Sequence, residues 1–351
     1  MKIAKDLGDI SREGMGYNDL GNVYYRLGNY KRAIDHHERH LKIAKELGER
    51  SGEGVAFRNL GNTHCHLGDL KAGEDCHERH LKIAKEPDDI SGEGTAYGDL
   101  GDVYYRLRDC KRAIDHHERH LNRARELGDR SGEGEAFRNL GNAHCHLGNF
   151  KAAKDCHERH LKIAKELGDI SEEGNACSDL GNVYYRMGDY KRTIDYYECH
   201  PVIAKELGDR SGEGVAFRNL GNAHGHLEDF KAAKDNHERH LVIAKELGDR
   251  SGEGVACRNL GNTHCYLGDY IAAKDYHECH LKIAKELGDR SGERVACRNL
   301  RNTHCHLGDF EGAKDYHECH LKIEQELADR SEERELLGRV GKMLCQMGDS
   351  F

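Results

Sequence analysis

The chain has 351 residues, of which 33% are charged, and it contains two prolines and no tryptophan. Its formal charge of -9 argues against a protein that tracks nucleic acid, because such a protein carries a basic stripe. An apolar content of 37% is low for one large core and fits segments that each bury a narrow stripe. No apolar run approaches a membrane span, and the first residues lack the hydrophobic region of a signal peptide, so we expect a cytoplasmic protein.

An internal repeat of 40 residues organises the chain. One column of the repeat consists of Leu20, Leu60, Leu100, Leu140, Leu180, Leu220, Leu260 and Leu300. A fixed period of this length predicts a solenoid of stacked helical units. The eight expected helix pairs span residues 11–50, 51–90, 91–130, 131–170, 171–210, 211–250, 251–290 and 291–330.

The two ends of the chain differ from complete repeats. Residues 1–9 match residues 41–49, so residues 1–10 are expected to be the tail of a preceding repeat. Residues 331–351 align with a ninth first helix and stop where its partner would begin. We therefore expect a terminal helix there, either as a cap of the stack or as a truncated repeat of a longer array.

Each unit contains two helical stretches, which in the fourth copy are separated at Gly148. At 100° per residue, Leu140 and Leu147 fall on one side of the first helix, which is expected to pack. Arg138 and Asn142 fall on the opposite side. The first helices therefore present a polar column that recurs along the array.

The second helix of the same copy is also amphipathic. Its expected packing face consists of Ala153, His157, His160, Leu161, Ala164 and Leu167. The opposite face carries charged residues such as Lys151, Asp155 and Arg159, and it is expected to be solvated. Each unit is therefore predicted to be a pair of antiparallel helices.

Two copies carry substitutions that should weaken them. Pro201 stands in the middle of a second helix, where proline costs about 3 kcal/mol because it removes a backbone donor and clashes with the preceding turn. Arg301 replaces the glycine at which the two helices of a pair should approach closely. The fifth and eighth pairs are the predicted weak points.

The motif within each copy points to a known family. In the first copy it consists of Tyr17, Leu20, Gly21, Tyr24, Ala33 and His37. This pattern resembles the tetratricopeptide repeat, and the 40-residue period with its Leu-Gly-Asn triplet resembles the longer variant in LGN/Pins-type G-protein-signalling modulators. The resemblance covers essentially the whole chain. It implies an all-α fold, an α-solenoid of antiparallel helix pairs wound as a right-handed superhelix, whose first helices line a concave groove that binds an extended or partly helical peptide.

The resemblance also implies which residues line that groove. They are Arg58, Asn62, Arg138, Asn142, Asn182, Arg218, Asn222, Arg258, Asn262, Arg298 and Asn302. Asparagine offers a donor and an acceptor to a partner's backbone, and arginine favours carboxylates, so an acidic peptide is the expected partner. The alternative is that these residues are merely a solvated surface. The chain carries nothing like the short Gα-binding motifs of the modulators, so direct Gα binding is not expected.

The 26 histidines and 14 cysteines raise the question of a metal site. Cys76, His77 and His80 have ligand chemistry, but the cysteine positions vary between copies and no paired Cys-x-x-Cys knuckle occurs. Cysteines at the Phe57 position of the repeat are expected to be small buried hydrophobes, and they are Cys177, Cys257 and Cys297. Neither bound metal nor a disulfide is expected, since nothing indicates an oxidising compartment.

Catalysis is not expected either. Every cysteine, histidine and aspartate belongs to a repeating column, whereas an active site is a singular arrangement, and no glycine motif would cradle phosphate. The sequence therefore predicts a non-catalytic scaffold without cofactor that binds a protein partner, neither nucleic acid nor membrane. The alternatives are a sensing or oligomerising array of a larger signalling protein and, as a third, a metal-binding protein rich in histidine and cysteine.

Two histidine columns follow the packing face of the second helix. One consists of His40, His80, His120, His160, His200, His240, His280 and His320. The other consists of His37, His77, His117, His157, His237, His277 and His317, with Tyr197 in the fifth copy. A buried imidazole is favoured neutral, so the folded pKa values are expected to lie below about 6.5.

Overall fold

The structure is a computed structural model, which describes residues 10–86 and 89–348, with side chains up to residue 329. Sixteen α-helices and no strands occur among these residues. They are α1 Ile10–Arg26, α2 Tyr30–Leu47, α3 Arg50–Leu67, α4 Leu70–Lys85, α5 Ile90–Arg106, α6 Cys110–Leu127, α7 Arg130–His146, α8 Phe150–Leu167, α9 Ile170–Met187, α10 Tyr190–Glu206, α11 Arg210–His226, α12 Phe230–Leu247, α13 Arg250–Tyr266, α14 Tyr270–Leu287, α15 Arg290–His306 and α16 Phe310–Gly348. The all-α solenoid of helix pairs is confirmed, with odd-numbered first helices and even-numbered second helices.

The chain divides into two compact units, Met1–Met187 and Gly188–Phe351. Within each unit, every helix packs against its neighbours along the chain. No helix in the described part of the chain combines the length and the apolar character needed to cross a membrane.

Local signals explain why the helices begin and end where they do. An aspartate side chain accepts a hydrogen bond from a backbone N–H in the first turn of many helices, as Asp109 does from Arg112 at 3.1 Å. Six of the second helices end at a glycine in the left-handed region, where side chains with a Cβ are strained. These glycines have φ of 66° to 69° and are Gly48, Gly128, Gly168, Gly208, Gly248 and Gly288.

The last helix differs from the expected arrangement. Ala328 stands where those second helices have their terminal glycine, and α16 continues from Phe310 to Gly348. Without the left-handed glycine, the backbone has no local reason to stop. The expected separate helix at residues 331–351 is therefore continuous with the preceding one over the described backbone. Residues 1–9, and all side chains after residue 329, lie outside the description, so the repeat tail and the capping role stay predictions.

The core of each pair follows the predicted stripe, with two corrections. Leu140 is 4% exposed and Ala153 is fully buried. Leu147 and Leu167 were expected to pack, but they are 41% and 50% exposed. Both lie at the end of a helix, beside the turn, where no neighbouring helix continues to cover them. Ile163, which the helical wheel left out, is 3% exposed and fills the core instead.

Helix α10 accommodates Pro201 inside its span without ending. The histidine that precedes the proline, His200, is half-buried, whereas its equivalents His160 and His240 are 2% and 6% exposed. The proline therefore sits in a helix that packs less tightly than its equivalents.

Substituting Pro201→Leu should raise the free energy of unfolding of the chain. The backbone N–H of residue 201 would return, and the clash of the ring with the preceding turn would disappear, for a gain of about 3 kcal/mol. Urea denaturation followed by circular dichroism measures this. Val202→Lys is the matched control, because Val202 is 59% exposed and Lys42 and Lys82 hold the same repeat position. An equal gain in the control, or no gain from the leucine, would contradict the expectation.

Candidate peptide-binding face

The residues expected to line the groove all lie on first helices, on the side opposite the buried leucine column. Five of them are exposed, namely Arg58, Asn182, Asn262, Arg298 and Asn302. The other six are half-buried, namely Asn62, Arg138, Asn142, Arg218, Asn222 and Arg258. None is fully buried, so each is placed where a ligand could touch it.

An amide ladder connects neighbouring first helices along this side. Asn259 donates from Nδ2 to Oδ1 of Asn222 at 3.2 Å, and Asn299 donates to Asn262 at 3.1 Å. In the first unit, Asn139 donates to Asp102 at 3.3 Å. These bonds engage the side-chain oxygens of Asn222 and Asn262, and each amide keeps two N–H donors that could serve a ligand. The asparagines that donate these bonds share one position of the 40-residue repeat, namely Asn139, Asn259 and Asn299. They were not among the residues predicted from the sequence.

The arginines of the two units have different surroundings. In the first unit, Arg58 Nε lies 3.5 Å from Asp99 Oδ2, and Arg138 lies 3.6 Å from Glu172 and 3.9 Å from Asp179. These carboxylates belong to the following helix pair and partly neutralise both guanidinium groups. The sequence did not predict that Arg58 and Arg138 are engaged within the protein.

In the second unit, asparagine takes the repeat position that Asp99 and Asp179 occupy in the first unit. Asn259 follows Arg218, and Asn299 follows Arg258, in the column where the first unit has Asp99 and Asp179. Among the residues with described side chains, Arg218, Arg258 and Arg298 form no ion pair. The uncompensated positive charge of the face is therefore concentrated in the second unit.

Pairs seven and eight enclose a cleft of about 660 Å³ on this side. Four expected groove residues line it, namely Arg258, Asn262, Arg298 and Asn302. Aromatic side chains, which were not expected, form another part of the wall. Tyr270 stacks on His306 with ring centroids 4.5 Å apart, and Tyr266 is 71% exposed. The cleft therefore combines guanidinium groups, amides and open ring surface.

Three aspartates accompany the histidines of the first unit, of which Asp99 and Asp179 are half-buried and Asp102 is exposed. Burial raises the pKa of Asp99 to about 6, against the opposing effect of Arg58. Local desolvation and the nearby charge of Asp99 raise the pKa of Asp102, although its side chain is exposed. Burial likewise raises the pKa of Asp179 to about 6. These groups are neighbours of the face, and their raised pKa values leave them with less charge at neutral pH than ordinary aspartates carry.

One group of three side chains with metal-ligand chemistry occurs among the described residues. Ligand atoms of His157, His160 and Asp179 lie within 4.8 Å of one another. Arg138 lies 3.9 Å from the same aspartate, and a guanidinium at that distance disfavours a second cation. No such group forms around Cys76, His77 and His80 of the second copy among the described residues.

Comparison with known proteins settles the family. The sequence profile of the tetratricopeptide repeat matches residues 13–86, 92–166, 173–246 and 213–286, which together make up well over half of the chain. The chain belongs to the tetratricopeptide repeat family. A search of curated protein sequences found no match.

Several solved structures resemble the chain at low identity. A signal transduction ATPase with a tetratricopeptide repeat sensor from Pyrococcus horikoshii has a TM-score of 0.70 and 17% identity, and the match covers 92% of this chain and 49% of that one. The quorum sensor NprR from B. thuringiensis has a TM-score of 0.61 and 16% identity, and the match covers 92% of this chain and 99% of that one. BtubC from P. vanneervenii has a TM-score of 0.56 and 23% identity, and the match covers 62% of this chain and 92% of that one. At these identities the likeness shows the fold alone.

Proposed function

We propose that this tetratricopeptide repeat protein is a non-catalytic, cytoplasmic interaction module that binds an acidic segment of another protein, extended or partly helical. The observation that carries the proposal is the cleft of about 660 Å³ lined by Arg258, Asn262, Arg298 and Asn302. Guanidinium groups bind carboxylates with paired hydrogen bonds, and the amides can bind the backbone of the same segment.

The charge distribution favours the second unit as the place of contact. Among the side chains that the structure describes, up to residue 329, no carboxylate forms an ion pair with Arg218, Arg258 or Arg298, whereas Arg58 and Arg138 already have acidic neighbours. The ring of Tyr266, which is 71% exposed and lines the same cleft, adds apolar contact area beside the charges. A peptide that alternates acidic and apolar residues fits this surface best.

Two narrower roles are compatible with such binding. The 40-residue period and the Leu-Gly-Asn triplet support a scaffold related to G-protein-signalling modulators of cell polarity. The likeness to the repeat sensor of the P. horikoshii protein and to the quorum sensor NprR supports a sensing array within a larger signalling protein. Both roles require a ligand on the first helices, so the same experiment tests their shared step.

Selection of short random peptides on the immobilised chain tests the proposal. We expect the selected peptides to be enriched in aspartate and glutamate and to bind more weakly as sodium chloride is raised, because screening weakens attraction between charges. The triple variant Arg218→Glu, Arg258→Glu, Arg298→Glu should lose this binding by at least about tenfold, which corresponds to about 1.4 kcal/mol.

A matched control reverses the same number of charges on second helices of the same unit. Lys231, Lys282 and Lys322 are exposed there, and their replacement by glutamate should leave peptide binding nearly unchanged. Circular dichroism verifies that both triple variants stay helical. Selection of peptides without acidic enrichment, or binding that survives reversal of the three arginines, would place the ligand elsewhere.

A further inference from the structure

Two repeat positions, one on each helix of a pair, change together along the chain. One lies on the first helix, and the other lies 22 residues later on the second helix. In five pairs they hold an aromatic residue and an arginine, namely Tyr17 with Arg39, Phe57 with Arg79, Tyr97 with Arg119, Phe137 with Arg159 and Phe217 with Arg239. The guanidinium carbon lies 5.2–5.6 Å from the ring centroid in these pairs, which is cation–π contact.

In the remaining copies both positions hold cysteine. The sequence places Cys177 with Cys199, Cys257 with Cys279, and Cys297 with Cys319, and neither position holds cysteine without the other. A small buried hydrophobe on the first helix would not require cysteine on the second. The joint replacement therefore indicates that the two thiols act together.

The structure brings two of these pairs into contact within the second unit. The Sγ atoms of Cys257 and Cys279 lie 2.7 Å apart, and those of Cys297 and Cys319 lie 3.0 Å apart. A disulfide bond measures about 2.05 Å, so closing either pair requires an approach of about 1 Å or less. Helix packing that already holds the sulfurs together removes most of the cost of bringing them into reach.

We propose that Cys257 with Cys279, and Cys297 with Cys319, are oxidisable dithiol sites. Each forms a reversible disulfide by exchange with a low-molecular-weight disulfide of the oxidised glutathione type. Nothing in this assignment depends on peptide binding at the candidate face.

Exposure and charge assign different roles to the two sulfurs of the seventh pair. Cys257 is 1% exposed, whereas Cys279 is only half-buried and can meet a small reactant. A hydrogen bond from the Cys257 thiol, helped by the positive charges of Lys245 and Arg250, lowers the pKa of Cys279 to about 7. The same hydrogen bond and burial raise the pKa of Cys257. Cys279 is therefore the attacking thiolate, and Cys257 is the thiol that completes the bond.

The exchange proceeds in two balanced steps. The Cys279 thiolate attacks one sulfur of the small disulfide, whose S–S bond breaks and releases one small thiolate. Cys257 then gives up its proton to that thiolate or to water and attacks Sγ of Cys279, which releases the second small thiolate. Two protein thiols are oxidised, and one small disulfide is reduced to two small thiols. An excess of small thiol reverses both steps.

The disulfide would tie the first helix to the second in pairs seven and eight. The chain between the two cysteines closes a loop within one helix pair, and such a cross-link restricts the unfolded chain. Oxidation should therefore raise the melting temperature of the second unit.

Mass spectrometry of the full chain tests the proposal directly. The reduced protein is incubated with oxidised glutathione in the absence of oxygen, then alkylated, digested and mapped. We expect cross-linked peptides that join Cys257 to Cys279 and Cys297 to Cys319, while Cys265 and the exposed Cys305 in the same pairs remain alkylated. Dithiothreitol should remove both cross-links. Oxidation of these four residues no faster than that of Cys265 and Cys305, or cross-links to other partners, would overturn the proposal.

Two variants separate the chemistry from folding. Cys257→Phe with Cys279→Arg installs the residues that the sixth pair carries, Phe217 and Arg239, so it should fold and lose only the first cross-link. Cys257→Ala should retain the mass of one glutathione on Cys279, because the second thiol is missing. A wild-type protein that stops at the same glutathione adduct, or a double variant that keeps the cross-linked mass of the seventh pair, would show that the two sulfurs do not react with each other.

Discussion

At pH 5 the chain should melt at a much lower temperature than at pH 7.5, at matched ionic strength. Twelve histidines of the two columns are at most 8% exposed, namely His37, His40, His77, His80, His117, His120, His157, His160, His237, His240, His277 and His280. Burial lowers the pKa of His77 and His277 to about 4, with a further contribution from the adjacent His80 and His280. Burial lowers the pKa of His117 to about 3.

The direction of the pH effect follows from these pKa values. The unfolded histidines have a pKa near 6.5, so between about pH 6.5 and pH 4 the unfolded chain binds more protons than the folded one. Stability is therefore full above pH 6.5 and is lost as the pH falls toward the folded values. One pKa unit corresponds to about 1.4 kcal/mol, so each histidine with a folded pKa near 4 costs about 2 kcal/mol at pH 5. A few such groups match the 5–15 kcal/mol that stabilise a typical domain.

Carboxylates near the histidines moderate this effect without reversing it. Glu49 and Asp19 raise the pKa of His40 in part, yet burial prevails and the pKa stays lowered. Asp99, Asp102 and Asp179, with raised pKa values, favour the folded state as the pH falls, which opposes the histidines. All three belong to the first unit.

Thermal melts followed by circular dichroism at a series of pH values measure the effect. The matched variant replaces His237 and His277 by tyrosine, because Tyr197 holds the same column in the fifth copy and is 2% exposed. It should melt at nearly the same temperature as the wild type at pH 7.5 and at a higher temperature at pH 5. Equal melting temperatures of the wild type at both pH values would contradict the assignment of these columns as neutral and buried.

The fold could be predicted from the sequence because its signals are local and repeated. The leucine column, the helix breaks at residues such as Gly148 and the amphipathic second helices each depend on a few consecutive residues. Leu147 and Leu167 were assigned wrongly because a helical wheel assumes a neighbour along the whole helix, and none covers its end. Helix α16 continues past Ala328, the repeat position at which six second helices have their terminal glycine.

The candidate site was less accessible to sequence reasoning. The polar column could be assigned to one side of the first helices, but the pairing of Arg58 with Asp99 joins residues of two different copies. The bond from Asn259 to Asn222 does so as well. The cysteine pairs become apparent only when two columns are compared. Such relations depend on how neighbouring helices are stacked, and a single helix does not contain that information.

The substitution Gly261→Ala should destabilise the protein, although alanine is the better helix former. A Cβ at residue 261 would lie 2.5 Å from Cε1 and Nδ1 of His277, whose ring is fully buried. Shifting the buried ring disturbs its packing, so the strain of overpacking, about 1–3 kcal/mol, outweighs a helix gain of about 1 kcal/mol. Urea denaturation should show a net loss of stability.

Gly225 provides the control for that experiment within the same unit. It lies in helix α11, and a Cβ there would meet nothing within 4 Å. Gly225→Ala should therefore stabilise the chain by up to about 1 kcal/mol through helix propensity alone. A gain from both substitutions would show that the histidine ring yields easily and that the close contact does not determine the packing of the pair.

In the eighth pair, Arg301 has already changed this contact between glycine and histidine. It replaces the contact glycine, and His317 is exposed there, whereas its equivalents in the column, such as His237 and His277, are 3% and 0% exposed. Arg301 Nη1 lies 3.4 Å from Nδ1 of His317, so the guanidinium occupies the space in which the ring would pack. Arg301→Gly should return the ring to the helix interface and raise the melting temperature, because packing of the buried ring outweighs the lower helix propensity of glycine. Proton exchange at the His317 imidazole should slow at the same time. If the variant melts at a lower temperature with His317 still exposed, the glycine contact is not what buries this column.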